Sequence, residues 1–154
     1  MNILVCISNV PDTTSKINFN ENNTSFDSQG VQFIINPNDE FGLTRAIWLQ
    51  QKLGAKVTVV TVGDSNCEAI LRKCLAIGAD QAIRIDLKPQ DGFQVASCLA
   101  SICKKTEYDL VITGRESIDY NGGMVGAILA TQLKIPYLAN CCLLYTSDAA
   151  DESS

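Results

Sequence analysis

Five short apolar runs, at residues 3–7, 56–62, 81–86, 109–113 and one beginning near Pro136, alternate with amphipathic stretches of helical period. That alternation predicts a mainly parallel sheet whose strands are joined by crossover helices. Between the second and third runs, residues 67–77 place Ile70, Cys74 and Ile77 on one stripe, and Gly78 is suited to end that helix in a left-handed cap. Val95, Leu99, Ile102 and Cys103 form a similar stripe ahead of the fourth run. Both stripes read as core. The expected fold is α/β: a doubly wound, mainly parallel, Rossmann-like sheet with strand order 3-2-1-4-5.

The first connection is unlike the others, because about 49 residues separate the first two runs, too many for a simple crossover. Ile17-Asn-Phe19 and Val31-Gln-Phe-Ile-Ile35 flank a polar stretch, residues 20–30, which predicts a hairpin insertion with a mobile tip. Asn36-Pro-Asn-Asp-Glu40 then opens a helix that ends near Gly54. Asn36 fits as its N-cap, Pro37 as its first residue, and Asp39 and Glu40 suit the positive end of the dipole. Capping alone accounts for these residues; buried Asn and Asp at a helix start also suit a ribose or an adenine.

After the fourth run comes a glycine-bearing loop, residues 114–126, which leads into an apolar helical segment, residues 124–133. A strand, a glycine loop and a helix in that order leave N–H groups at the helix start aimed at one spot, which suits a phosphate. Gly122 and Gly123 are expected to turn with positive φ and to let a ligand approach without a Cβ in the way. A tight turn that binds nothing fits the same residues. No G-x-G-x-x-G follows the first run, where Ser8-Asn-Val-Pro-Asp12 stands, and no G-x-x-x-x-G-K-[ST] occurs. With the order 3-2-1-4-5, the ligand crevice lies between the first and fourth strands, walled by residues 6–13 and 114–126.

Composition narrows the chemistry. At 154 residues and 46% hydrophobic content, one globular domain is expected. A net charge of -5, with scattered Lys and Arg, argues against a nucleic-acid partner. The absence of histidine removes Ser-His and Cys-His nucleophile pairs. Seven cysteines without a C-x-x-C pair read as reduced, mostly buried thiols rather than a metal site. No leader pattern precedes the first run and no run approaches the roughly 20 residues of a membrane span, so a soluble intracellular protein without a membrane span is expected.

Ile3-Leu-Val-Cys6 with Val10-Pro-Asp-Thr13, Asn36-Pro-Asn-Asp-Glu40, Thr58-Val-Val-Thr-Val-Gly63, Leu71-Arg-Lys-Cys-Leu-Ala-Ile-Gly-Ala-Asp80 and Tyr108-Asp-Leu-Val-Ile-Thr-Gly-Arg-Glu-Ser-Ile-Asp119 follow one another in order. This series resembles the beta subunit of electron-transfer flavoprotein over about residues 1–140. The resemblance implies an adenine-nucleotide-binding fold that holds a structural AMP, or a second FAD in bifurcating members. It implies a heterodimer with an alpha subunit that holds most of the working FAD, and electrons received from acyl-CoA-type dehydrogenases, as in fatty acid beta-oxidation. By the same resemblance the subunit is an electron carrier without catalytic side chains of its own, in the bacterial cytoplasm or, in a eukaryote, the mitochondrial matrix.

Carried over by position, the family's nucleotide contacts fall on Cys6, on Asn36, Pro37, Asn38 and Asp39, on Val62, and on Tyr120, Asn121, Gly122, Gly123, Met124, Val125, Gly126 and Ala127, continuing to Thr131. The Val10–Thr13 turn would lie near the alpha subunit's flavin. Where members often carry Asp-Thr-Ala-Gln, this chain has Asn121-Gly-Gly-Met124, implying fewer side-chain and more backbone contacts to phosphate. Ser8 and Asn9 stand where Lys or Arg is common.

The family's partner-wrapping arm and dehydrogenase-docking loop have no counterpart here, which implies a truncated chain, poorly functional alone. Residues 1–141 are expected to form the nucleotide-binding domain, and 142–154, which resemble a translated sequencing adaptor, a non-native tail. A free-standing ATP-binding regulator of the universal-stress type is the alternative, but its late G-x-x-G phosphate motif is missing. An adenylating ligase would need an S-G-G-x-D-S loop after the first run, which Ser8-Asn-Val-Pro-Asp-Thr13 does not supply.

Overall fold

The computed structural model describes residues 1–20 and 22–141; the expected tail at 142–154 lies outside them. The strands and helices, in chain order, are β1 (Asn2–Cys6), β2 (Asn9–Pro11), β3 (Phe33–Ile35), α1 (Pro37–Leu53), β4 (Lys56–Val62), α2 (Glu68–Ile77), β5 (Gln81–Ile85), α3 (Gly92–Lys105), β6 (Leu110–Ile112) and α4 (Val125–Leu133). A single 3-10 turn, Ser65–Cys67, leads into α2.

Four strands form a parallel sheet in the order β5-β4-β1-β6. β1 is central, pairing Cys6 with Val60 on one side and Val5 with Ile112 on the other. Its apolar run is continuous because both faces are covered. Ile3, Val5 and Ile7 pack with Val57 and Val59 against Leu43, Ala46 and Ile47 of α1 and Ile70, Leu71 and Cys74 of α2. Leu4, Cys6 and Val60 face Ala96, Leu99 and Ala100 of α3 and Leu129 of α4. The molecule is thus a three-layer α/β fold with a mainly parallel central sheet.

Four expectations change in detail. Residues 136–141 contain no strand, so the expected fifth position is not filled among the described residues. Pro136 has no N–H to donate to a ladder, and Leu138 is exposed. The inserted pair is β2 with β3, antiparallel, and not residues 17–19 with 31–35. Burial explains the choice: Val10 and Ile35 lie in the core, whereas Ile17 and Phe19 are exposed and Phe19 makes only an isolated bridge to Phe26. On α2, Ile77 lies outside the buried stripe, which runs through Cys67, Ile70, Leu71 and Cys74. On α3, Ala96 and Ala100 join Leu99 in full burial, and Val95 and Cys103 pack at its edge. Gly78 does end α2 at φ 137°, donating its N–H to the Cys74 and Leu75 carbonyls. No helix among the described residues is long and apolar enough to cross a membrane.

Candidate functional site

The strand order reverses at β1, which has β4 on one side in the sheet and β6 on the other. A crevice opens there at the carboxyl ends of β1, β4 and β6, the position at which open α/β sheets bind ligands. Its volume is about 90 Å³, below that of a typical small-molecule site, and it is open to solvent on one side. Cys6, Val60, Val62, Val95, Leu99 and Val125 give it an apolar side; Ser8, Asn36, Asp39, Glu116, Ser117 and Gly122 line the other.

The polar wall is three chain segments sewn together by hydrogen bonds. Asp39 is buried, and its Oδ2 accepts from the Ser8 N–H at 2.8 Å while its Oδ1 accepts from the Gly114 N–H at 2.9 Å. One carboxylate thereby ties the turn after β1 and the loop after β6 to the start of α1. Burial pushes its pKa up to about 6, although the accepted N–H bonds from Ser8 and Gly114 act to lower it. Asn36 occupies the N-cap position with Pro37 behind it, yet its side chain does not cap α1. Its Nδ2 donates to the Glu116 carbonyl at 2.9 Å and its Oδ1 accepts from the Ile118 N–H at 3.3 Å. Asn38 Nδ2 donates to the same Glu116 carbonyl. The Ser117 N–H closes the loop onto the Gly122 carbonyl at 3.1 Å.

Gly114 is required by this stitching, because a Cβ there would strike Asp39 Oδ1 and come within 3.0 Å of the Asn38 and Asp39 backbone. The expected positive φ at Gly122 and Gly123 does not occur; Asn121 makes the left-handed turn, at φ 57°. Asn tolerates that conformation better than other side chains, which frees the glycines for clearance. Gly122 lies against the Tyr120 ring, and Gly126 lets α4 abut Thr113 and Tyr137. α4 begins after Met124 with no side-chain cap.

Of the residues expected at the site, Cys6, Asn36, Asp39, Val62, Tyr120, Gly122 and Val125 line the crevice. Pro37, Asn38, Asn121, Gly123, Met124, Gly126 and Ala127 do not; they shape the α1 start and the turn into α4, and Met124 packs over Gly92 at the head of α3. Burial holds the Cys6 thiol far above its usual range, with the Asp39 charge adding to the effect, so it stays neutral at pH 7. Sequence reasoning missed a contiguous second lobe, which shares Ile7, Ser8, Val62, Val95, Ser117 and Tyr120 with the first and adds Asn9, Asp64 and Lys88. In the wall common to both, Ser117 Oγ is buried and has no hydrogen-bond partner among the described residues. A lone serine in a loop carries no sequence signal for such a position.

Residues 24–149 match the electron transfer flavoprotein domain. The chain belongs to the electron transfer flavoprotein family. It is 39% identical over 139 residues to the electron transfer flavoprotein subunit beta of Thermoanaerobacterium thermosaccharolyticum, an alignment covering 88% of this chain and 53% of that protein. It is 34% identical over 157 residues to the protein FixA of Azotobacter vinelandii, covering 97% and 56%. A third relative, the caffeyl-CoA reductase-Etf complex subunit CarD of Acetobacterium woodii, is 35% identical over 141 residues, covering 88% and 53%. The chain spans about half the length of these relatives. They come from varied pathways, and two of the three bear the names electron transfer flavoprotein subunit beta and FixA.

Proposed function

We propose that this chain is the nucleotide-binding part of an electron transfer flavoprotein beta subunit, with an adenine nucleotide held in the crevice as a structural element. The observation that carries the reading is the crevice itself. One side is apolar and suits a purine, and the other brings together the polar residues Ser8, Asn36 and Ser117 and the uncapped start of α4 at Val125. That donor set fits a sugar-phosphate. Cys6 and Val62 would wall the base, and the Val125 N–H at the start of α4 would meet the phosphate. With Asp39 and Glu116 on the same wall, and the Arg115 guanidinium drawn to Glu116, phosphate binding rests on backbone N–H groups and hydroxyls.

In the assembled protein an alpha subunit would hold most of the working FAD, which supplies the redox chemistry. This chain's residues bind, orient and exclude water. Electrons would arrive from a flavin-linked dehydrogenase or reductase, acyl-CoA dehydrogenases being one such class, in the bacterial cytoplasm. The proposed occupant is AMP or a second FAD.

Denaturing the purified, folded chain and analysing the supernatant by mass tests this. Released AMP or FAD is expected, and its mass decides between them. A folded chain that releases no nucleotide and binds neither AMP nor FAD by calorimetry would refute the reading. Tight ATP binding by a homodimer that ignores an alpha subunit would favour the universal-stress alternative.

A further inference from the structure

The Asp39 carboxyl group is enclosed by donors. Its Oδ2 accepts from the Ser8 N–H and its Oδ1 from the Gly114 N–H, and the side chains of Asn36 and Ser8 also donate to it. An ionised carboxylate meets such a shell with acceptors only, whereas a protonated one carries an O–H that itself needs an acceptor. A proton on Oδ1 competes with the Gly114 N–H, and a proton on Oδ2 competes with the Ser8 N–H. The neutral group therefore keeps one good acceptor for two N–H groups. Those two N–H groups belong to the two segments that wall the crevice, Ser8 to the turn after β1 and Gly114 to the loop after β6.

From this donor shell we infer that Asp39 is a proton-operated latch on the crevice: ionised, it clasps both wall segments to the start of α1, and on taking up a proton it loosens one of them. The surrounding frame keeps the loosening local. Asn36 still holds the loop through the Glu116 carbonyl and the Ile118 N–H, and its own N–H still holds the turn through the Ser8 carbonyl. Burial lifts the Asp39 pKa from an ordinary 3.8 to about 6, so the change falls between neutral and mildly acidic pH. Around it, Cys6 on β1 and Cys74 on α2 have thiols pushed up by burial and by the Asp39 charge, and both stay neutral in that range. Glu40, next along α1, pairs with Lys73 of α2, and Glu116 in the loop after β6 pairs with Arg115. The latch is independent of what the crevice binds.

Residue-resolved amide exchange by NMR on the 154-residue chain, from pH 7.5 to 4.5 and corrected for the intrinsic pH dependence of exchange, tests this. As pH falls, protection of the Ser8 or the Gly114 amide is expected to drop about fivefold, with the same midpoint as the Asp39 carboxyl carbon shift. The Ile7 amide, bonded to the Val60 carbonyl, and the Ile118 amide should hold or gain protection, because protonating Asp39 favours the folded state. In Asp39→Asn the Ser8 and Gly114 profiles should be flat; the parent's own profile decides should that variant fold poorly. A carboxyl that titrates while both amides keep their protection would overturn the latch. So would an equal loss at Ile7 and Ile118, which marks general acid unfolding, a pH-dependent loss in Asp39→Asn matching the parent's, or an Asp39 carboxyl still ionised at pH 4.5.

Discussion

Replacing Asp39 by Asn should destabilise the protein in acid and stabilise it at neutral pH, with the sign changing near pH 5. The carboxylate accepts two N–H bonds, from Ser8 and Gly114, yet its pKa in the folded protein is raised from an ordinary 3.8 to about 6 because burial disfavours the charge more than those bonds favour it. The folded state therefore holds this proton more tightly than the unfolded chain. Stability from this site is fully present below pH 3.8 and is lost as pH rises through about 6. Each pKa unit corresponds to about 1.4 kcal/mol, so ionising Asp39 costs about 3 kcal/mol by pH 7. An amide at this position does not titrate and escapes that loss. It offers only one acceptor oxygen, however, so one of the two N–H groups loses its partner at every pH, a constant cost of about 1.5 kcal/mol. The Asp39→Asn protein should therefore trail the parent by about 1 kcal/mol at pH 4 and lead it by about 1.5 kcal/mol at pH 7. Urea unfolding of both chains from pH 4 to 7.5 measures the difference directly. A difference that stays constant across that range, or that moves in favour of Asp39 as pH rises, would refute the reasoning.

Two further substitutions probe the same stitching. Gly114→Ala forces a Cβ against the Asp39 carboxylate and within 3.0 Å of backbone that cannot yield, so about 3–5 kcal/mol of destabilisation is expected by urea unfolding. A loss below about 1 kcal/mol would mean that the α1 start moves freely relative to the loop. Asn36→Ala leaves the Ile118 N–H without its acceptor and removes one of two donors to the Glu116 carbonyl, which should cost about 2 kcal/mol and speed amide exchange at Ile118.

The parts of this fold legible in the sequence are those set by local period. β1 and β4 could be placed because a strand buried on both faces must be apolar throughout, and α1 because Asn36-Pro37 opens it and Gly54 closes it. The β2 partner of β3 was not legible. Val10 is one apolar residue among polar neighbours, and only the core that receives it distinguishes it from Ile17 or Phe19. The same limit applies to side-chain roles. Asn36 sits where a helix cap belongs, yet its amide bonds a loop 80 residues away, a choice that exists only once β1 and β6 are neighbours.

The loop at 114–126 shows how that limit bears on the site. Its glycines suggest backbone contortion when read alone, and the contortion falls instead on Asn121. Gly114 is glycine because of Asp39, 75 residues earlier, whose carboxylate occupies the space a Cβ would need. Asp39 in turn sits where its charge is unfavourable, and what it offers there is two acceptor oxygens for N–H groups on different segments, which an amide cannot match. The crevice wall is therefore held by a residue whose ionisation weakens the folded state while its geometry aligns the segments that form that wall. Ser117 repeats that pattern, with a hydroxyl whose desolvation no described partner offsets. Both groups lower the stability of the folded chain at neutral pH, so the wall takes its shape at a cost that the packing on the two faces of the sheet offsets.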